Sequence, residues 1–248
     1  MFDFKSYVDL RSPAEIEEDE HMDSAVYSGF SDYTYDSKAG QFALASETTS
    51  VTGRRYFMSL MSESLIKKGV FFRLQKRNRA KAIGLYLLSA FSRRANKNVR
   101  SMFLDRINKG GLRLLNELVV DTSGADLVKV LKIVADPTNH PVAMYCTAGK
   151  DRTGLLAMLI LSVVGASEEE IVADYVLSDS AYKDIGDSKA MVAALKQTDV
   201  DPETFLRAKP EVMHATMQYV REKHGSVPGR DYSQEGSRAY KGPAPCPS

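Results

Sequence analysis

Cys146 and Arg152 lie six residues apart, and the stretch Cys146-Thr147-Ala148-Gly149-Lys150-Asp151-Arg152-Thr153-Gly154 holds the residue types needed to bind and attack a phosphate ester. A thiol of ordinary pKa, about 8.5, is largely protonated at neutral pH, but a helix N-terminus and nearby cations favour the thiolate and so make it a nucleophile. Arg152 can offer a planar fork of donors to two phosphate oxygens. Gly149 lets the backbone curl so that the N–H groups of Thr147, Ala148, Gly149 and Lys150 turn inward. Thr153 supplies a hydroxyl, and Gly154 permits close helix packing. The Cys-x5-Arg spacing is common by chance; what gives it meaning is an apolar run before the loop and a helical pattern after it.

The chemistry such a cradle supports is hydrolysis in two steps. The Cys146 thiolate attacks phosphorus to give a cysteinyl-phosphate, and water then cleaves it, with Arg152 and the loop N–H groups holding the equatorial oxygens. Departure of the ester oxygen requires a proton, and three aspartates could give it: Asp151 within the loop, Asp121 upstream and Asp9 at a strand end. No cofactor is called for, and no metal: two cysteines and four scattered histidines make no ligand spacing. A phosphate-binding module with little turnover is the rival from another class. A thiol redox enzyme would lack a partner cysteine, because Cys246 falls in a Gly-, Pro- and Ser-rich tail expected to be disordered over 226–248.

Stepping outward, the elements that must position these groups follow from pattern. Pro141 opens a strand over Val142 to Tyr145, and the helix after the loop, Thr153 to Val164, is apolar nearly all round and closes at Gly165. Phe2 to Leu10 reads as a strand that delivers Asp9 and Arg11 to the sheet edge where ligands bind; alternatively Arg11 pairs Glu15 or a neighbouring loop and Asp9 merely caps. Ser24 to Thr52 shows no clear period and is expected to be a long loop. Helices are expected over Tyr56 to Lys68 ending at Gly69, Phe71 to Phe91, and Val99 to Ile107 ending at Gly110-Gly111. The pattern over Leu112 to Val119 is also helical; Asp121 to Asp126 should turn the chain into a helix over Leu127 to Ala135. Ser167-Glu-Glu-Glu170 is a capping box opening the next helix, and Val212 to Lys223 is the last. His214 sits among apolar neighbours and reads as a core-edge residue.

With 248 residues, 44% apolar and 26% charged, the chain can bury one core, and residues 1–225 read as a single domain. Its net charge of +1 hides an asymmetry: residues 54–113 hold sixteen Lys and Arg against Glu63 and Asp105. That segment is expected to be a helical basic insertion, either a lid or a contact for an anionic membrane surface, or else solvated helices that balance the acidic N-terminal stretch. Nucleic acid is not an expected partner. The longest apolar run is too short to span a bilayer and the first residues lack a signal-peptide pattern, so a cytoplasmic monomer is expected.

Cys146-x5-Arg152-Thr153 resembles the signature of the cysteine-dependent protein tyrosine phosphatase superfamily. The full Cys-Thr-Ala-Gly-Lys-Asp-Arg-Thr-Gly loop is similar to that of its tyrosine/serine phosphatase branch, known for broad specificity. The likeness extends to Asp174-Tyr-Val-Leu-Ser178 and to Asp9-Leu-Arg-Ser12. It implies an α/β, protein-tyrosine-phosphatase-like fold with a small, mostly parallel sheet flanked by helices, and more chain ahead of the first strand. It also implies Cys146 as nucleophile, Asp151 as general acid, Arg152 as phosphate clamp, and auxiliary places for Asp9 and Arg11. Phosphotyrosine, phosphoserine or phosphothreonine proteins are the implied substrates; Lys150, as a cation at the loop rim, points to phosphoinositides instead. Where the branch has histidine before the cysteine, this chain has Tyr145.

Overall fold

A computed structural model describes residues 4–17, 27, 29–36, 38–47, 52–60, 63–89, 92–184, 205 and 207–225. The expected tail over 226–248, with Cys246, lies outside the described residues. Five strands form one sheet: β1 (Ser6–Asp9), β2 (Phe30–Asp36), β3 (Gln41–Ser46), β4 (Gly53–Phe57) and β5 (Val142–Tyr145), in the order β3-β2-β4-β1-β5. All pairings are parallel except β2 with β3. Among the described residues the α-helices are α1 (Pro13–Glu17), α2 (Glu63–Phe72), α3 (Lys76–Ser89), α4 (Arg93–Ala135), α5 (Asp151–Val164), α6 (Glu168–Asp184) and α7 (Pro210–His224). This is the expected α/β class with a small, mostly parallel sheet.

The middle of the chain differs from the expectation. Ser24 to Thr52 is not simply a long loop, since it contains the hairpin β2–β3. Tyr33 and Tyr35 alternate along β2 and pack against Phe42 of β3 and Tyr56 of β4, with ring centroids 5.3 Å apart in each of three pairs. The turn is fixed by Asp36, whose Oδ1 accepts the N–H groups of Lys38 and Ala39, and by Gly40 at φ 68°. Residues 54–57 belong to β4, so the helical part of the basic stretch begins at α2. Gly69 lies inside α2 instead of ending it, because α2 meets α4 there: a Cβ on Gly69 would stand 2.5 Å from Leu118 Cδ2. Helix α4 absorbs three expected pieces, with a kink at Gly111 (φ 57°, ψ −157°) and another at Ser123, whose Oγ donates to the Leu60 carbonyl.

The core gathers Val8 and Leu10 from the β1 side, Val130 and Ile133 from α4, Leu155, Leu156 and Met158 from α5, Ile171 and Tyr175 from α6, and Met213 and Met217 from α7. Helix α5 packs on both α4 and α6, and α7 closes against α4 and α6 on the other side. That packing buries Leu155, Leu156 and Met158, whereas Val163 and Val164 at the end of α5 are exposed, so the apolar pattern exceeds what the core takes up. A smaller cluster of Val70, Leu114 and Leu118 fixes α2 on α4.

Asn139, 3% exposed, joins the end of α4 to the sheet just before β5. Its Oδ1 accepts from Arg54 Nη1 and Tyr56 Oη, and its Nδ2 donates to the Ile133 carbonyl at 3.0 Å. Truncation by Asn139→Ala leaves those groups unpaired, and the expected loss is about 1–3 kcal/mol. Urea denaturation measures it; an unchanged midpoint would mean that the turn is held by other contacts.

Candidate active site

The register of β1 on β5 sets Asp9 beside Tyr145, and Leu10 N–H donates to the Tyr145 carbonyl at 2.9 Å. The two strands therefore release Asp9 and Cys146 side by side at the C-terminal edge of the sheet, where open α/β sheets bind ligands. Cys146 is a free thiol, 6% exposed. After it the chain folds back on itself: Gly149 adopts φ 62° and donates to the Cys146 carbonyl at 3.2 Å. Thr147 and Gly149 are exposed and Ala148 half-buried. Helix α5 begins two residues earlier than its apolar pattern suggests, so Asp151 and Arg152 sit in its first turn. Its N-cap, Lys150, makes no side-chain cap bond, which leaves first-turn N–H groups for an anion. Gly154 serves packing: a Cβ there would stand 2.9 Å from Tyr175 Cδ2.

Arg152 is buried and its fork already holds a carboxylate. Nη1 donates to Glu15 Oε2 at 2.8 Å and to the Leu10 carbonyl at 3.2 Å, while Nη2 donates to Glu15 Oε1 at 2.5 Å. Thr147 Oγ1 also donates to Glu15 Oε1. The remaining oxygen geometry is set by a capping box on α1, with Ser12 N–H donating to Glu15 Oε2 at 2.8 Å and Glu15 N–H to Ser12 Oγ. Partial burial works against the charge of Glu15, but the hydrogen bonds from Arg152, Thr147 and Ser12 prevail and hold its pKa at about 2. Sequence reasoning offered Glu15 only as a partner for Arg11. The signal for its position was Ser12-Pro13-Ala14-Glu15, a capping box with proline at the first helical position.

Asp151 behaves in the opposite way. Burial raises its pKa, countered in part by Lys150, whose Nζ stands 3.5 Å from Asp151 Oδ1. The same Oδ1 accepts no hydrogen bond, and neither does the buried Thr153 Oγ1 have a partner among the described residues. Lys150 is not the rim cation expected. It is 1% exposed, its Nζ donates to the Phe205 carbonyl at 2.5 Å and reaches the Arg207 carbonyl at 3.5 Å, and burial lowers its pKa. Asp179 of α6 fixes that segment by accepting from Ala208 N–H and Arg207 Nε.

The other aspartates are occupied. Asp9 is fully buried and takes Arg11 in a two-point pair, Nε to Oδ1 at 3.0 Å and Nη2 to Oδ2 at 2.7 Å, so Arg11 pairs Asp9 and not Glu15. Tyr145 Oη donates to Asp9 Oδ2 at 2.8 Å, and its ring stacks on Tyr27 with centroids 5.9 Å apart. Burial, with the Asp9 charge second, pushes the Tyr145 pKa up, so the phenol stays a donor. Asp121 is bound by Arg73 Nη2 at 2.6 Å, Tyr219 Oη at 2.7 Å and Lys223, and these bonds overcome burial to lower its pKa. It lies at the far end of α7. Met213 of that helix faces Gly154, and ten residues of helical rise separate Met213 from Lys223, about 15 Å.

Glu15 generates a pH test. A carboxyl whose pKa falls from 4.5 unfolded to about 2 folded adds stability above pH 4.5 and loses it as pH drops toward 2. Glu15→Gln should therefore be less stable than wild type at pH 7, by on the order of 1–2 kcal/mol after allowance for partial exposure, and equal to it near pH 2. Thermal melts of both proteins across this range measure the difference; a gap independent of pH would contradict the ion pair.

A family model described as "Tyrosine phosphatase family" matches residues 2–237. A relative named "Triple specificity protein phosphatase PtpB", from Mycobacterium tuberculosis, is 32% identical over 118 residues, 42% of this chain and 41% of its own. A "Tyrosine-protein phosphatase" of Nostoc commune is 42% identical over 50 residues, 20% of this chain and 17% of its own. The matched stretches thus span less than half the length of these relatives. With the family model covering nearly the whole sequence, the chain belongs to the tyrosine phosphatase family.

Proposed function

We propose that this chain hydrolyses phosphomonoesters through a cysteinyl-phosphate, with phosphotyrosine proteins as first substrates and phosphoserine and phosphothreonine proteins as further ones. The observation that carries the reading is the grip of Arg152 on the Glu15 carboxylate at the mouth of the Cys146 loop. A site that already binds one planar anion at 2.5 and 2.8 Å presents the charge and donor spacing a phosphate needs. Glu15 uses only Nη1 and Nη2. Nε has no partner among the described residues and can take a phosphate oxygen while Glu15 keeps the guanidinium in place.

In this reaction the Cys146 sulfur forms a bond to phosphorus as the ester P–O bond breaks, and the departing oxygen takes the proton of Asp151. Burial raises the pKa of that carboxyl and so favours its protonated form. Asp151, now ionised, accepts a proton from the water that attacks phosphorus in the second step, and the cysteine leaves as a thiolate. The unpartnered Thr153 hydroxyl is available to that thiolate. The working thiolate suits a reducing compartment such as the cytoplasm, and a monomer suffices for the chemistry. No helix of the described residues is long and apolar enough to cross a membrane. The "triple specificity" in the mycobacterial relative's name supports a broad substrate range. A phosphoinositide reading loses the argument from Lys150, since that cation is buried, and rests on the basic helices alone.

Cys146→Ser should abolish turnover of an aryl phosphate while phosphate still binds, and Arg152→Ala should lose both. Asp151→Asn should slow an unactivated alkyl phosphate on the order of 10²- to 10⁴-fold and an activated aryl phosphate far less. Steady-state rates on both substrates, with phosphate binding by calorimetry, decide. Phosphate binding by wild type without hydrolysis between pH 5 and 8 would establish a binding module instead.

A further inference from the structure

Helix α3 combines a basic start with exposed apolar residues. It carries Lys76, Arg77, Arg79 and Lys81 and no acidic residue, with Arg79 donating to the Leu74 and Phe72 carbonyls. Its C-terminal half is apolar on two sides: Ala82 is buried and Leu85 half-buried, whereas Ile83 and Leu87 are 51% and 68% exposed. Lys76, Ala80, Ile83 and Leu87 follow one another at helical spacing, so the exposed apolar stripe begins at a lysine. Phe72, just before α3, is 66% exposed, and Leu88 flanks the stripe at 58%.

A cavity of about 410 Å³ opens between the α2–α3 connection at 73–75, α3 and the first half of α4, with Asn78 and Lys81 as its α3 residues. Arg73, Lys81, Arg106 and Lys109 line it against one acid, Asp105. Asp105 neutralises Lys109 at 2.9 Å, and Arg73 is tied to Glu117 and Asp121. Among the described residues, the uncompensated charge at the cavity is that of Lys81 and Arg106.

We propose that this face docks on an anionic bilayer, with Ile83, Leu87 and Leu88 entering the headgroup boundary and a lipid phosphate seated at Lys81 and Arg106. Charge complementarity selects this occupant: the cations of the first two turns of α3 precede exposed apolar residues that cover about two turns, and none of the described helices spans a membrane. The docking does not depend on catalysis. Arg73 anchors the cavity wall to Asp121, at the end of α7 remote from Gly154, so the Cys146 loop is not consumed by the contact.

The test is sedimentation of the full chain with vesicles of phosphatidylcholine alone and of phosphatidylcholine with roughly one-third phosphatidylserine. Wild type should sediment with the second and not the first at about 0.1 M salt, and should be released as salt screens the surface. Lys81→Ala with Arg106→Ala should weaken the partition about 25-fold, about five-fold per cation. Leu87→Asn should weaken it without changing the salt dependence. Turnover of a small aryl phosphate should be unchanged in all variants, which also shows that they fold. Absence of wild-type sedimentation with anionic vesicles overturns the proposal, as does equal sedimentation with neutral ones or full retention by the double variant. If wild type sediments but hydrolyses nothing, the phosphatase reading fails while the docking stands; circular dichroism then serves as the folding check.

Discussion

The parallel pairing of β1 with β5 is the constraint on which the site depends. Four residue pairs, from Ser6 with Val142 to Asp9 with Tyr145, fix where both strands end. A slip of one residue would turn Asp9 away from Tyr145 and carry Ser12 and Glu15 with it, because strand side chains alternate faces. With the register as it is, Leu10 offers its carbonyl to Arg152, and α1 starts close enough for Glu15 to reach the same guanidinium. The clamp is thus assembled from segments some 140 residues apart by one short ladder. Tyr145 strengthens that ladder through its bond to Asp9, which in turn fixes Arg11.

Two carboxyls near the loop are driven in opposite directions, and this separates their roles. Glu15 meets a guanidinium, a hydroxyl and a backbone N–H, so its charge is stabilised and it stays an acceptor. Asp151 has one ammonium at a distance of 3.5 Å and no hydrogen bond on Oδ1 among the described residues, so burial dominates and its pKa is raised. Pairs of titratable groups pushed apart in this way are the arrangement by which one site can hold an anion and donate a proton at the same pH. Lys150 contributes by its burial: turned inward to the Phe205 carbonyl, it partly offsets the rise in the Asp151 pKa.

Much of the local chemistry was legible in the sequence because it is encoded locally. The strand Val142 to Tyr145, the left-handed Gly149, the enclosed α5, Gly165 as its cap and the Ser167 capping box all follow from residue type and spacing. What was not legible depends on contacts across the chain. The β2–β3 hairpin looked like loop because Phe30 to Ser46 mixes polar residues with its aromatics; only pairing with β4 and packing on Tyr56 reveals Tyr33, Tyr35 and Phe42 as one face. Gly69 and Gly110-Gly111 looked like helix ends because glycine often is one, but packing on Leu118 overrides propensity at Gly69. The direction of Lys150 was set by carbonyls some 55 residues downstream, which no motif announces.

Helix α7 reaches from the core beside α5 to the charged cluster on α4. Its N-terminal part supplies Met213 against Gly154, and its last turns supply Tyr219 and Lys223 to the cluster of Asp121 and Arg73. The charges of that cluster are paired among themselves, Asp121 with Arg73 and Lys223 and Arg73 with Glu117 as well, whereas Lys150, Arg152 and the start of α5 lie in and just after the Cys146 loop.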